Sequence, residues 1–401
     1  MTGRDPHQSH RAATPLELLF DLAFVAAFAQ AGNQLAHLVA DNHIKAGVGG
    51  FAFVMFGVCW AWIQFSWFAS AFDTDDWLHR LLTMVQMIGV VVFALGLPDL
   101  FHSLDEGHHV DNRIMIAGYI VMRVAMVAQW LRVASDDPDH RRTALVYVAN
   151  ITIAQFGWVV LWVLDTSVAG FFAWALVLIL IEIGGPFVAE TRTESTPWHA
   201  HHIAERYGLL TIITLGEGVF GTVASVSALV ETQGWSREAV IVTIAGIGLT
   251  FGLWWTYFML PSGEILSRHR DRSFVWGYGH ILIFGSIAAT GAGLHVAAYV
   301  IEGVAHIGVR GAIIAVAIPV LIFSFALFAH YTYLLNEFDR FHISLFAGNV
   351  ALLALAIVLA SAGASIGVCL LLVTAAPALV VVGYETIGHR HESAAMERAL
   401  R

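Results

Sequence analysis

Apolar residues run along this chain in stretches of about 17–28, separated by short polar segments, and that is roughly the length of helix that spans the hydrocarbon core of a bilayer. Twelve such stretches fall near 15–39, 46–70, 78–100, 113–134, 142–164, 168–189, 203–230, 239–261, 275–300, 311–335, 343–362 and 366–386. The pattern predicts an all-α, polytopic integral membrane bundle of about twelve transmembrane helices. Thr14-Pro15-Leu16-Glu17 supplies a start signal for the first helix: a capping hydroxyl, proline at the first helical position and a reciprocal acid. Thr196-Pro197 repeats the opening of that signal at the middle of the chain.

Composition agrees with the pattern. Hydrophobic residues make up 58% of the chain and charged residues 12%, where globular domains carry about 25% charge; mean hydropathy is +0.72. The formal charge of −10 reflects scarce cations, Lys45 being the single lysine, and leaves no basic patch for nucleic acid. Cys59 and Cys369 both lie in apolar runs, which argues against a disulfide framework or a CxxC redox site. The leader, residues 1–14, is polar and lacks the short apolar core of a cleavable signal, so the first helix is expected to stay in place.

The cations also set an orientation. Of 20 Lys and Arg, 15 fall in segments on the side of the N-terminus; Lys45, Arg113, Arg237 and Arg310 fall on the other side, and Arg123 lies inside a helix. Positive charge stays inside, so the reading is an inner (cytoplasmic) membrane protein with both termini cytoplasmic. The two halves also echo one another. Glu17 and Phe20-Asp21-Leu22 match Glu205 and Tyr207-Gly208-Leu209; Trp60, Trp62 and Trp67 match Trp254-Trp255; Asn150 matches Asn349, and Pro186 matches Pro377. Offsets of about 190 residues suggest two parallel six-helix repeats, related by an axis along the membrane normal. The expected divisions are a cytoplasmic leader 1–14, a first repeat 15–190, a linker 191–202, a second repeat 203–387 and a cytoplasmic tail 388–401.

Charges inside apolar helices are expensive, about 3 kcal/mol each at the bilayer centre on insertion scales, and they point to function by default. Glu17 completes the Thr14 cap, and Asp21 follows one turn on, about 40° round the helix. Gln30, Asn33, Gln34 and His37 form a separate stripe, read either as interhelical hydrogen bonding or as a pathway lining. Glu217 lies about 18 Å beyond Glu205 along a helix, near mid-membrane if Glu205 is interfacial. Arg123 and Glu182 fall at comparable depth, and pairing opposite charges is the cheapest way to keep each ionised. Asp21, Arg123, Glu182 and Glu217 are therefore taken as one polar centre, a structural ion pair being the plainer alternative. Gly184-Gly185-Pro186 beside Glu182 suggests a break or kink, as in transporter ion sites. His199, His201, His202 and Glu205 invite a metal reading, but a structural zinc site wants four ligands and no cysteine is near, so neither metal nor cofactor is expected. No G-x-S-x-G, Walker A, H-E-x-x-H or dinucleotide fingerprint occurs.

The opening T-P-L-E-L-L-F-D-L-A-F-V-A-A-F-A-Q resembles the N-terminal signature of the bacterial low temperature requirement protein A (LtrA) family, and H-H-I-A-E-R-Y-G-L-L-T-I-I-T-L-G-E-G-V resembles its second signature. Residue by residue this marks Glu17, Phe20, Asp21, His202, Glu205, Arg206, Gly208, Gly216 and Glu217. The resemblance covers essentially the whole chain and implies a polytopic membrane protein without an agreed biochemical activity. A looser similarity is to endolysosomal potassium channels, although Phe20-Asp21 lacks their intervening serine and Glu17 stands where a cation would be wanted. The function expected is proton- or cation-linked transport or channel activity, with the lipid bilayer and protons or small cations as partners. The alternatives are a membrane-embedded enzyme or sensor, and a structural membrane protein without flux.

Overall fold

A computed structural model describes residues 1–8, 11–107, 109–164, 166–389, 391, 396 and 398. Among them, twelve spans are long and apolar enough to cross a membrane: α1 Pro15–Ala40, α2 Ile44–Phe72, α3 Trp77–Glu106, α4 Arg113–Asp136, α5 Arg141–Val163, α6 Val168–Arg192, α7 Ala200–Gln233, α8 Arg237–Arg268, α9 Arg270–Glu302, α10 Val309–Leu335, α11 Arg340–Ser361 and α12 Ile366–Gly388. No strand forms among the described residues beyond one isolated bridge, His109 to Ser167. Much of the expected tail 388–401 lies outside the described residues, including Arg390 and Arg401, two of the cations counted for orientation.

The helices start and stop where local chemistry allows. Thr14 and Glu17 form the reciprocal cap of α1, Asp76 caps α3, and Ser167, Ser236 and Ser365 cap α6, α8 and α12. The third span is longer than expected because Pro98, in the first turn after Gly96, starts a further helical segment, Leu97–Glu106. Of the break or kink read from the sequence of α6, the break does not form. The helix runs through Pro186 unbroken from Val168 to Arg192, and Gly185 serves another purpose. Any Cβ there would lie 1.9 Å from the Asn150 amide carbon, so glycine admits that side chain, which donates to the Ile181 carbonyl at 2.8 Å.

By contact the chain forms two compact units: Met1–Ala31 with Phe56–Arg206, and Gly32–Met55 with Tyr207–Arg401. In unit one, α3 packs on α4, α4 on α5 and α5 on α6. The first of these contacts is backbone-close, since a Cβ on Gly118 would sit 2.2 Å from the Phe93 amide nitrogen. The leader docks on the end of α2. The Arg4 amide donates to Ala71 at 2.9 Å, and the Arg11 guanidinium donates to the Ala69 and Ser70 carbonyls. These carbonyls belong to the end of the helix, where intrahelical partners run out; Ala69 also accepts from the Asp73 amide at 3.1 Å. In unit two, α9 packs on α10, α10 on α11, α11 on α12, and α8 on α12. Glu238 accepts from the Gly367 amide at 2.7 Å, placing an acid at the N-terminus of α12. Phe156, Leu180, Ile244 and Val358 are exposed, the apolar outward faces that a lipid environment requires.

Candidate functional site

The first site is built where α1, α2 and α7 meet within unit one. Arg206, fully buried, contacts Glu17 Oε1 at 2.9 Å and grips Asp21 at 2.5 and 3.2 Å. Trp62 Nε1 donates to Asp21 Oδ1 at 2.7 Å, and His202 Nε2 lies 3.1 Å from Glu17 Oε1. The guanidinium also stands over the Trp62 and Phe65 rings, and Phe20 stacks on Phe65 at 3.8 Å. Glu17 thus does more than complete its cap, because the same carboxylate neutralises part of Arg206. Behind the cluster, His199 Nδ1 accepts from the His202 amide at 3.2 Å, so Nε2 carries the proton and donates to the Gln8 carbonyl at 2.8 Å. Burial, with Arg4 close by, pulls the Arg11 guanidinium down to about 10, which leaves it charged at neutral pH.

The second cluster also lies in unit one. Arg123 on α4 pairs with Glu182 on α6, as opposite charges at like depth require. The carboxylate also accepts from Trp60 Nε1 at 2.5 Å, Tyr119 Oη at 2.9 Å and Trp158 Nε1 at 3.1 Å. Four helices converge on it and its oxygens are all engaged, the condition under which a buried pair is tolerated.

Glu217 departs from the expected single centre. It lies on α7 in unit two, 4% exposed, and among the described residues neither an ion pair nor a hydrogen bond reaches its carboxylate. Two glycines lie against it. A Cβ on Gly291 would come within 2.5 Å of the Glu217 carbonyl carbon, and one on Gly32 would be 3.6 Å from Glu217 Oε2. The four residues grouped from sequence therefore divide three ways: Asp21 with Arg206, Glu182 with Arg123, and Glu217 by itself. Burial depth is readable by counting along a helix; which neighbour a side chain turns toward is not.

Of the other marked residues, Glu205 and His201 are exposed, Gly208 abuts the Phe258 ring at 3.0 Å from its absent Cβ, and Gly216 has open space beside it. No group of three metal-ligating side chains occurs among the described residues. Sequence reading missed a buried pair in each unit. His79 Nδ1 meets Gln129 Oε1 at 3.0 Å in unit one. In unit two the His280 and His330 rings lie 5.0 Å apart, with Tyr257 Oη 3.0 Å from His280 Nε2. Both pairs are 50 residues apart in sequence, a signal that was available.

A model of the bacterial low temperature requirement A protein (LtrA) family matches residues 12–377. This chain belongs to the LtrA family. The LtrA match includes both signatures, and the structure gives them a joint meaning: Glu17 and Asp21 from the first meet His202 and Arg206 from the second, and Phe20 packs on Phe65, over which Arg206 stands. The chain is 26% identical over 306 residues to an uncharacterized protein of Rhizobium meliloti (strain 1021), covering 69% of this chain and 67% of that one. No solved structure matches.

Proposed function

We propose that this LtrA-family membrane protein moves protons or small cations across the inner membrane, and that Glu217 is the group that binds them. One observation carries the reading. Of the four buried carboxylates on the spanning helices, Glu17, Asp21 and Glu182 each face an arginine, whereas Glu217 faces none among the described residues. A paired carboxylate is committed to its cation and holds helices in place. A carboxylate buried without a partner costs several kcal/mol whenever it is ionised, so it binds a proton or a cation readily and gives it up when the surroundings change. The Arg206 and Arg123 clusters are then the fixed frame. The test is flux in proteoliposomes of the purified chain, followed with pH and potassium dyes. Glu217→Gln should abolish flux while leaving the melting temperature close to wild type, because no cation is left without its counter-charge. Flux in Glu217→Gln equal to wild type would sink the assignment.

A further inference from the structure

Unit two contains a cavity of about 450 Å³. Its walls come from the second half of α1, the first half of α2, α9 and α10, and the lining is apolar apart from Asn42 and Ser286. No lining residue is charged. On its rim Val48, Leu282 and Ile318 are exposed, so it opens on the apolar outer face. Ala292 is one of the lining residues, and it shares a neighbour, Gly32, with the Glu217 carboxylate. The position a Cβ would take on Gly32 is 4.0 Å from the Ala292 methyl and 3.6 Å from Glu217 Oε2. Gly32 thus lies against both a buried carboxylate without a partner among the described residues and the wall of an apolar chamber.

We propose that this chamber binds a lipophilic monocation, with Glu217 as its counter-ion. The inference takes from the proposed function only that Glu217 is a cation-binding carboxylate. A bare inorganic cation sheds its water only for a shell of several oxygen ligands, and the walls offer one amide and one hydroxyl. A cation whose charge is spread over an apolar body needs no such shell. Its body fits a cavity in the size range of ligand pockets, its single charge meets a single carboxylate, and it reaches the open rim from the lipid phase. Because one carboxylate serves both, cation and proton compete: binding of the monocation to protonated Glu217 releases one proton to water. The protein is then an exchanger of lipophilic cations for protons.

The test uses the full chain in nanodiscs and tetraphenylphosphonium as probe, measured by equilibrium dialysis, with tetraphenylborate as the anion of the same shape. Tetraphenylphosphonium should bind saturably, and tetraphenylborate should not displace it. Glu217→Gln and Ala292→Phe should each weaken binding about tenfold or more, whereas Glu217→Asp, which keeps the charge, should stay within a few-fold of wild type. Melting temperatures identify any variant that fails to fold, and Glu217→Asp serves as the second probe of the charge. Binding indifferent to Glu217→Gln, or tetraphenylborate binding as well as the cation, overturns the proposal. So does native mass spectrometry that finds a phospholipid retained by wild type, lost in Ala292→Phe and undisturbed by the probe, since the chamber would then be an acyl-chain site. Failure here is separable from failure of the transport reading. Glu217-dependent binding without flux refutes transport alone, and proton or potassium flux without such binding refutes this inference alone.

Discussion

A guanidinium buried away from water cannot escape its charge by deprotonation, so Arg123 and Arg206 each dictate that acids be built around them. Removing one partner leaves the other uncompensated, at a cost of about 3–5 kcal/mol for a fully buried pair. Arg123→Met should therefore destabilise strongly, because Glu182 keeps its indole and phenol donors but loses its cation. Arg123→Met combined with Glu182→Gln should unfold at a higher temperature in detergent than Arg123→Met alone. Near-additive losses in that cycle would deny the direct pair. That Arg123 needed an acid was legible in the sequence, and so was the list of acids at its depth. The choice of Glu182 over Glu217 was not, since it depends on which faces of α4 and α6 turn together. The Trp60 and Trp158 indoles that complete the site also gave no signal, because tryptophans recur throughout an apolar chain.

Helix boundaries were the most legible elements, because caps and prolines act through neighbours in sequence. Asp76 illustrates both what was readable and what was not. Its side chain accepts from the Leu78 and His79 amides at 3.1 and 2.9 Å, as a cap should, and it is also gripped by Arg132, 56 residues away. The Arg132 hydrogen bond, with the His79 amide adding to it against a burial penalty, holds the Asp76 carboxyl well below the usual carboxylate range. A folded value lower than the unfolded one, about 3.9, gives stability that is complete above about pH 4 and is lost as pH falls below it. Asn caps nearly as well as Asp, so Asp76→Asn isolates the Arg132 contribution. Its melting temperature should lie below wild type at pH 7, and the two should converge below pH 4; a gap independent of pH would mean that Arg132 contributes nothing. Asp76→Ala should lose about 1 kcal/mol more by abolishing the cap. Of the break or kink expected at Pro186, the break did not form, and the glycine before it has another use: Gly185 is small to admit Asn150, a contact 35 residues distant.

At the scale of the whole molecule, we propose that the chain is two parallel six-helix repeats. Support comes from packing order and from spacing. Within their units α3–α4, α4–α5 and α5–α6 pack in succession, as do α9–α10, α10–α11 and α11–α12. The His79–Gln129 pair joins α3 to α4 as His280–His330 joins α9 to α10, and His280 follows His79 by the interval at which His330 follows Gln129. Repeats of six helices share one orientation, because an even number returns the chain to its starting side, and from the Arg and Lys bias we propose that this side is cytoplasmic. Thiol labelling tests both ideas at once. Cys59 and Cys369 are buried and free, so a single exposed cysteine reports its own side of the membrane. In spheroplasts, a membrane-impermeant maleimide should label Lys45→Cys, after α1, and Glu231→Cys, at the end of α7, without permeabilisation. Glu194→Cys, in the linker between the repeats, should react only once the membrane is opened. Labelling of Lys45→Cys but not Glu231→Cys would mean that α1 and α7 run in opposite directions and that the repeats are inverted. External labelling of Glu194→Cys with both others silent would keep the repeats parallel and reverse the whole protein, against its charge bias.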